Sequence, residues 1–340
     1  MHMADALLSP AVAGGLYAAS ASAAAYSVKK VRLENDIKKI PLMGVMSAFI
    51  FAAQMINFTI PGTGSSGHLC GGLLLSILLG PYAGFLSMIS VLIIQCLLFA
   101  DGGLLALGAN IWNMAFYSCF VTYMLIYRPL VKRNLKNGRI ILASVLGSVI
   151  SLQLGAFSVA LETCLSGITA LPFQKFLLFM LPVHLVIGAV EGFITAAVII
   201  FIKNTRPDLL ENCNLNNRIG YKQILVILSL VVLLMGGGLS LVASSNPDGL
   251  EWSIQKISGD VQVTPKNEHK KTIDAAGKIQ KKTSVMPDYT IADSDSKAGT
   301  SLSGILGSVA VAVICLGCGF LFRFFKHKGT CENNHEGKAS

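Results

Sequence analysis

Long apolar runs alternate with short polar segments rich in lysine and arginine. The runs extend from Val12 to Val28, Pro41 to Ile60, Ala106 to Tyr127, Ile140 to Leu161, Phe176 to Ile202, Ile224 to Val242 and Leu302 to Phe325. Most match or exceed the roughly 18 residues that mark a membrane span, and in lipid such a run must satisfy its own backbone as a helix. The stretch from His68 to Phe99 is interrupted by Gly80-Pro81. This pair breaks a helix and predicts a short helix followed by a full one.

Charge sets the count. Lys29, Lys30, Arg32, Lys38 and Lys39 in the first loop, and Arg128, Lys132, Arg133, Lys136 and Arg139 in a later one, mark both as cytoplasmic. The chain must cross an even number of times between them, so His68 to Tyr127 supplies three crossings and the total is nine. Lys203, Arg206, Arg218, Lys222, Lys326 and Lys328 then lie inside. The N-terminus and the loops Pro61 to Gly67 and Ala100 to Gly103 lie outside; neither loop contains Lys or Arg. The polar segment 244–299 also lies outside, as an extracytoplasmic domain or a mobile loop. The expected fold is all-α: a polytopic helical membrane protein with about nine transmembrane helices and one long extracytoplasmic loop.

Composition agrees, with 53% hydrophobic and 13% charged residues in 340, against about 25% charged in soluble domains. The net charge of +9 therefore reads as topology, with membrane lipid and not nucleic acid as the environment. The chain divides into 1–203 with seven spans, a cytoplasmic linker 204–222, a two-span unit 223–326 that contains the outer segment, and a cytoplasmic tail 327–340. The start, Met1-His2-Met3-Ala4-Asp5, lacks the basic n-region of a secretory signal. The eight cysteines read as structural thiols. No Walker sequence, inverted repeat, HExxH or GxSxG pattern occurs. No enzymatic activity or organic cofactor is expected, and any pumping must draw its energy from a partner.

The six histidines narrow the chemistry. His269, His327 and His335 lie in polar segments and read as solvated; His2, His68 and His184 remain. A histidine at position 2 allows the Met1 amine, its own amide nitrogen and Nδ1 to chelate one ion, a planar nitrogen set suited to Ni(II) or Cu(II). His68 ends a glycine-rich loop on the same side and can supply the fourth corner. The alternative is a disordered terminus beside an ordinary loop histidine. Leu7 and Leu8, followed by a helix, favour a docked terminus. Asp101 and Asn110 are candidates for orienting the imidazoles, or else helix caps. Glu162, His184 and Glu191 fall in or near apolar runs, where ionisable groups are costly; Glu162 can simply reach the interface. His184 and Glu191 form a relay or, more simply, polar contacts between helices.

These residues resemble a known family, the substrate-binding membrane component of cobalt and nickel energy-coupling-factor transporters. The resemblance covers about Met1 to Lys203 and rests on Met-His with a nearby acid and Leu-Ser-Pro, and on Gly-His-Leu-Cys-Gly-Gly and Leu-Leu-Gly-Pro-Tyr-Ala-Gly within Pro61 to Gly84. It also rests on Asp101-Gly102-Gly103-Leu104, Leu107-Gly108-Ala109-Asn110, and Val183-His184 with Glu191. It implies a square-planar ion on Met1 N, His2 N, His2 Nδ1 and a His68 ring nitrogen. Many relatives begin Met-His-Ile-Pro-Asp-Gly-Phe, a departure that spares the ligands. From Tyr221 onward the chain resembles the two-span accessory component, through Asn246-Pro247-Asp248-Gly249-Leu250-Glu251-Trp252. The resemblance implies Ni(II) as the transported ion, with Co(II) as the alternative, and a transmembrane energy-coupling protein with ATP-binding subunits as partners. It implies a multi-pass protein of the cell membrane. A metal-responsive scaffold without transport, and an intramembrane enzyme using His184 and Glu191, are the rival readings.

Overall fold

The computed structural model describes residues 1–31, 39–132, 134–210, 217–260, 269–290 and 297–336, with side chains of the last helix to 324. Arg32, Lys38, Arg133 and the side chains of Lys326, His327, Lys328 and His335 lie outside the described residues.

The protein is a polytopic helical bundle. Among the described residues six helices are long and apolar enough to cross a membrane: α4 (Pro81–Phe99), α5 (Leu107–Val131), α6 (Asn137–Ser166), α7 (Phe173–Thr205), α8 (Tyr221–Gly237, extended by a 3-10 turn to Val242) and α11 (Lys297–Glu336). Three shorter or more polar helices occupy the other expected positions. These are α1 (Pro10–Lys30), α2 (Lys39–Gln54) and α3 (Gly72–Leu79). The Ala, Ser and Gly content of α1 suits close packing. Ser20 Oγ donates to Gly108 O at 2.7 Å, and a Cβ on Gly108 would lie 2.7 Å from Tyr17 Cα.

Helix α2 stops at Gln54, short of the expected end at Ile60, because residues 58–60 pair as a strand (β1, Phe58–Ile60) with β2 (Ser65–Gly67). The turn between them needs positive φ at Gly62 and Gly64. Gly80 (φ +85°) and Pro81 separate α3 from α4 as expected. At eight residues, α3 is only about 12 Å long; the extended segment 68–71 precedes it within the bundle.

Buried non-helical backbone must find partners inside the protein. Cys70 N and Gly71 N both donate to the Glu191 carboxylate of α7, at 2.7 and 3.1 Å, and Cys70 O accepts from Gln54 Nε2 of α2 at 2.7 Å. Glu191 is thus a polar contact between helix and loop. His184, two turns away, bonds within its own helix to Met180 O. Helices α6 and α7 pack tightly where Gly188 and Gly192 face Val149 and Val145, a small-residue helix seam. Most of α5, Ile111–Tyr127, is π-helical.

The segment expected to be a domain or a loop holds two helices, α9 (Gly249–Ser258) and α10 (Lys270–Thr283), and a 3-10 turn, Pro287–Tyr289. They pack on the end of the bundle that carries the N-terminus: Ser66 N donates to Pro247 O at 2.8 Å, Gln280 Nε2 to Gly102 O at 2.6 Å, and Tyr289 Oη to Asp101 at 2.5 Å.

Glu191→Ala should leave two buried N–H groups unpaired and cost about 2–5 kcal/mol. Thermal unfolding in detergent should show a clear fall in Tm, with a smaller fall for Glu191→Gln, which retains one acceptor.

Candidate metal centre

The terminal segment is coil with one 3-10 turn, Asp5–Leu7, and is largely buried. Met3, Leu7 and Leu8 are enclosed, each contributing about 1.5–3 kcal/mol. Met3 N donates to Asn110 Oδ1 at 2.7 Å, while Met3 O accepts from Asn110 Nδ2 at 3.2 Å and Gly103 N at 2.8 Å. Asp5 accepts from Ala106 N at 3.0 Å. Burial raises the Asp5 pKa, while hydrogen bonds from Ala106 and Leu105 oppose the rise. A Cβ on Gly103 would lie 1.9 Å from Asp5 Oδ1, so glycine there makes room for the terminus.

This docking brings Met1 N within 3.1 Å of His68 Nε2 and 2.7 Å of Asp248 Oδ2. His68 Nδ1 lies 3.0 Å from Leu69 O, so the proton belongs on Nδ1, leaving the Nε2 lone pair toward the amine. The His2 and His68 rings stack with centroids 5.2 Å apart. His2 Nδ1 lies 3.2 Å from Asp101 Oδ1, and His2 Nε2 lies 3.2 Å from Gln95 Oε1. Gln95 Nε2 donates to Gln54 Oε1 at 2.8 Å, and Gln54 holds Cys70 O. One amide chain therefore links the His2 ring to the loop of His68.

Electrostatics favour neutral imidazoles. Burial, then the adjacent amine and His2, hold His68 well below its ordinary pKa. His2 is lowered by burial and the amine, against the pull of Asp101 and Asp248. For Asp248, burial pushes upward but is outweighed by the Met1 ammonium and His68, so it stays below the usual carboxylate range. Two neutral imidazoles and a terminal amine suit a borderline divalent ion. Neighbouring donors in a planar site with bonds of about 2.0 Å lie about 2.9 Å apart, close to the Met1 N–His68 Nε2 separation. Among the described residues no group of three or more His, Cys, Asp or Glu side chains can hold an ion, so a centre here needs main-chain nitrogen.

Asp101 reaches His2 directly. Asn110 fixes the Met3 backbone and not an imidazole. Glu162 accepts from Asn113 Nδ2 at 2.8 Å, and Asn113 in turn lies 3.7 Å from Met3 Sδ. His184 lines a cavity of about 10 Å³ together with Met1, His68 and Cys70. Sequence reasoning missed Gln54, Gln95 and Asp248; the first two were visible as amides within apolar runs. Above the imidazoles opens a cleft of about 510 Å³ whose lining includes Asp101, Asp248, Glu251 and Asp288 and, among the described residues, no Lys or Arg.

Residues 2–209 match the family described as cobalt uptake substrate-specific transmembrane region, CbiM. The chain belongs to the CbiM family. Residues 222–324 match the PDGLE domain. A putative fused nickel transport protein of Archaeoglobus fulgidus is 36% identical over 92% of this chain and 96% of its own length. A probable fused nickel transport protein of Lactiplantibacillus plantarum is 34% identical over 76% and 79%. The crystal structure of a truncated transition metal transporter is 35% identical, with TM-score 0.53, and covers 60% of this chain and 99% of that one.

The CbiM unit meets the PDGLE unit at this centre. Asp248 Oδ1 caps α9 by accepting from Leu250 N and Glu251 N, both at 2.8 Å, while Oδ2 takes the Met1 amine. A Cβ on Gly249 would lie 2.8 Å from Val183 Cγ1 and 3.0 Å from His184 Cε1. Trp252 Nε1 donates to Thr63 O at 3.0 Å. Asp248→Ala should remove both the cap and the partner of a buried ammonium, costing on the order of 3 kcal/mol. Denaturation monitored by tryptophan fluorescence should show it, and Asp248→Asn should lose less because it can still cap.

Proposed function

We propose that this protein is the metal-capturing subunit of an ATP-driven nickel uptake transporter. Ni(II) binds to Met1 N, His2 N, His2 Nδ1 and His68 Nε2, at the extracytoplasmic end of the bundle. The observation that carries the reading is the buried Met1 amine beside His68 Nε2. Burying a terminal amine is costly; Asp248 Oδ2 at 2.7 Å offsets the charge, and the ring lone pair of His68 on its other side makes the pair a chelating arrangement. The relatives' names, fused nickel transport protein among them, point to the same cargo; Co(II) is the alternative ion. Release inward is driven by a transmembrane energy-coupling protein and ATP-binding subunits, because this chain carries no Walker sequence. The carboxylate-lined cleft above the imidazoles concentrates cations at the entrance.

In this account Gln95 orients the His2 ring through Nε2, the Asp101 contact at Nδ1 gives way to the ion, and the Gln95–Gln54 chain keeps the ring in register with the His68 loop. Asn110 and the glycines Gly102 and Gly103 seat the terminal segment. Asp248 holds the amine in place until the ion displaces its protons.

Purified wild-type protein offered nickel should retain about one ion per chain, as the chelate requires. His2→Ala, His68→Ala and an N-terminal extension should each lose it; normal retention by the extended protein would sink the assignment. Affinity should also rise with pH. His2 and His68 are both lowered by burial, so the rings are neutral near pH 7 and the pH dependence comes from main-chain nitrogen, with at least the His2 amide proton released per ion. Calorimetric titration in buffers of different ionisation enthalpy would count the protons released, and a pH-independent affinity would contradict the amide ligand.

A further inference from the structure

The end of the bundle remote from Met1 carries a pocket of its own. Helix α5 starts beside the terminal segment, where Asn110 holds Met3, and runs on to Val131, so Arg128 and Lys132 sit on the order of 25 Å away along its axis. There a pocket of about 30 Å³ opens between the end of α5, the last turn of α3 and the segment after α7. Ile77, Val131, Leu135 and Leu210 give it hydrocarbon walls, and Arg128 and Lys132 supply two cations; among the described residues its lining holds no Asp or Glu. Tyr127 lines it too. Its side chain is 3% exposed and stacks on Tyr123, yet among the described residues its buried hydroxyl has no hydrogen-bond partner. A buried phenol normally has one. Two cationic donors and a phenol O–H, with no carboxylate to compete, call for an anionic oxygen. Leu125, one turn before Arg128, is 72% exposed, so surface suited to the bilayer core gives way to cations at headgroup depth.

We propose that this pocket binds the phosphate of an anionic phospholipid, with Tyr127 Oη, Arg128 and Lys132 as its donors. Room for about two water-sized groups suits the two free oxygens of a phosphodiester, while the glycerol and acyl chains run over Leu125. The hydrocarbon walls favour a lipid over free phosphate, whose remaining oxygens would lose water against them. A zwitterionic headgroup fits less well, because its own ammonium meets Arg128 and Lys132. The bound lipid bridges α3, which follows the His68 loop, to α5 and to the segment after α7, and so stabilises the folded bundle. None of this depends on the chelate at the other end.

The test titrates detergent-purified full-length protein with short-chain phosphatidylglycerol, phosphatidylcholine of the same chains, and inorganic phosphate. Lipid retention is read by native mass spectrometry and stabilisation by Tm. Phosphatidylglycerol should bind about tenfold more tightly than phosphatidylcholine, and inorganic phosphate should leave Tm unchanged. Tyr127→Phe keeps the ring stack and loses only the O–H, and should weaken phosphatidylglycerol about fivefold. Arg128→Gln with Lys132→Gln should weaken it at least about tenfold. Lys136→Gln with Arg139→Gln removes the same charge outside the pocket and should stay within about twofold of wild type. Unchanged affinity in Tyr127→Phe, or an equal loss in the outside pair, would overturn the proposal. Equal binding of the two lipids would overturn it as well, leaving the cations to an acidic protein partner. A Tm rise with inorganic phosphate matching that with phosphatidylglycerol would replace the lipid by a free anion. Should the double pocket variant fail to fold, Tyr127→Phe decides.

Discussion

Two stretches of irregular backbone, the N-terminal eight residues and the segment 68–71, lie inside a bundle whose surroundings cannot hydrate them. That constraint explains three large polar side chains in the core, Glu191, Gln54 and Asn110. Each buried N–H or C=O left unpaired would cost a few kcal/mol, so the helices facing these stretches carry fixed acceptors and donors. Glu191 takes Cys70 N and Gly71 N, Gln54 takes Cys70 O, and Asn110 pairs with both sides of Met3. Glycine at 103 leaves space where a side chain would strike Asp5. The site is rigid because its supports are the same groups that make irregular backbone tolerable there.

Charge is handled by a similar economy. The Met1 ammonium sits against Asp248 and His68, and the two imidazoles are kept neutral mainly by burial. An imidazolium at His68 would face the ammonium directly and be desolvated as well. The neutral form suits burial, and in the chelate proposed above it would let the rings take an ion without a change of their own charge. The acidic groups Asp101, Asp248, Glu251 and Asp288 lie to one side, along the cleft.

Much of the bundle was legible because lipid imposes simple rules on sequence. The long apolar runs became helices, and Gly80-Pro81 broke the chain where proline sterics require it. Met1, His2 and His68 were singled out by donor chemistry, and the folded chain places Met1 beside His68 and His2 stacked on it. The end of α2 was misjudged because Asn57 to Ile60 is nearly as apolar as the helix before it, while its strand pairing depends on residues 65–67. Gln54 and Gln95 were passed over because an amide in an apolar run looks neutral until its partner is known. Asp248 was quoted as part of a motif, yet its contact with Met1 spans 247 positions, and no local pattern encodes such a distance.

That long-range contact also bears on why the two units share one chain. Asp248 must serve as an N-cap for α9 and as counter-ion to the amine, and Gly249 must lie flat against Val183 and His184. A separate accessory protein would have to be captured from the membrane to make these contacts, whereas a covalent linker makes docking intramolecular and raises its effective concentration. The packing of α11 on α2, where a Cβ on Gly307 would collide with Phe51 and one on Gly44 with Leu316, anchors the same unit within the bundle. The PDGLE segment is thereby held over the amine by helix packing at one end and by its own cap at the other, and the carboxylate that meets Met1 needs no further ordering to do so.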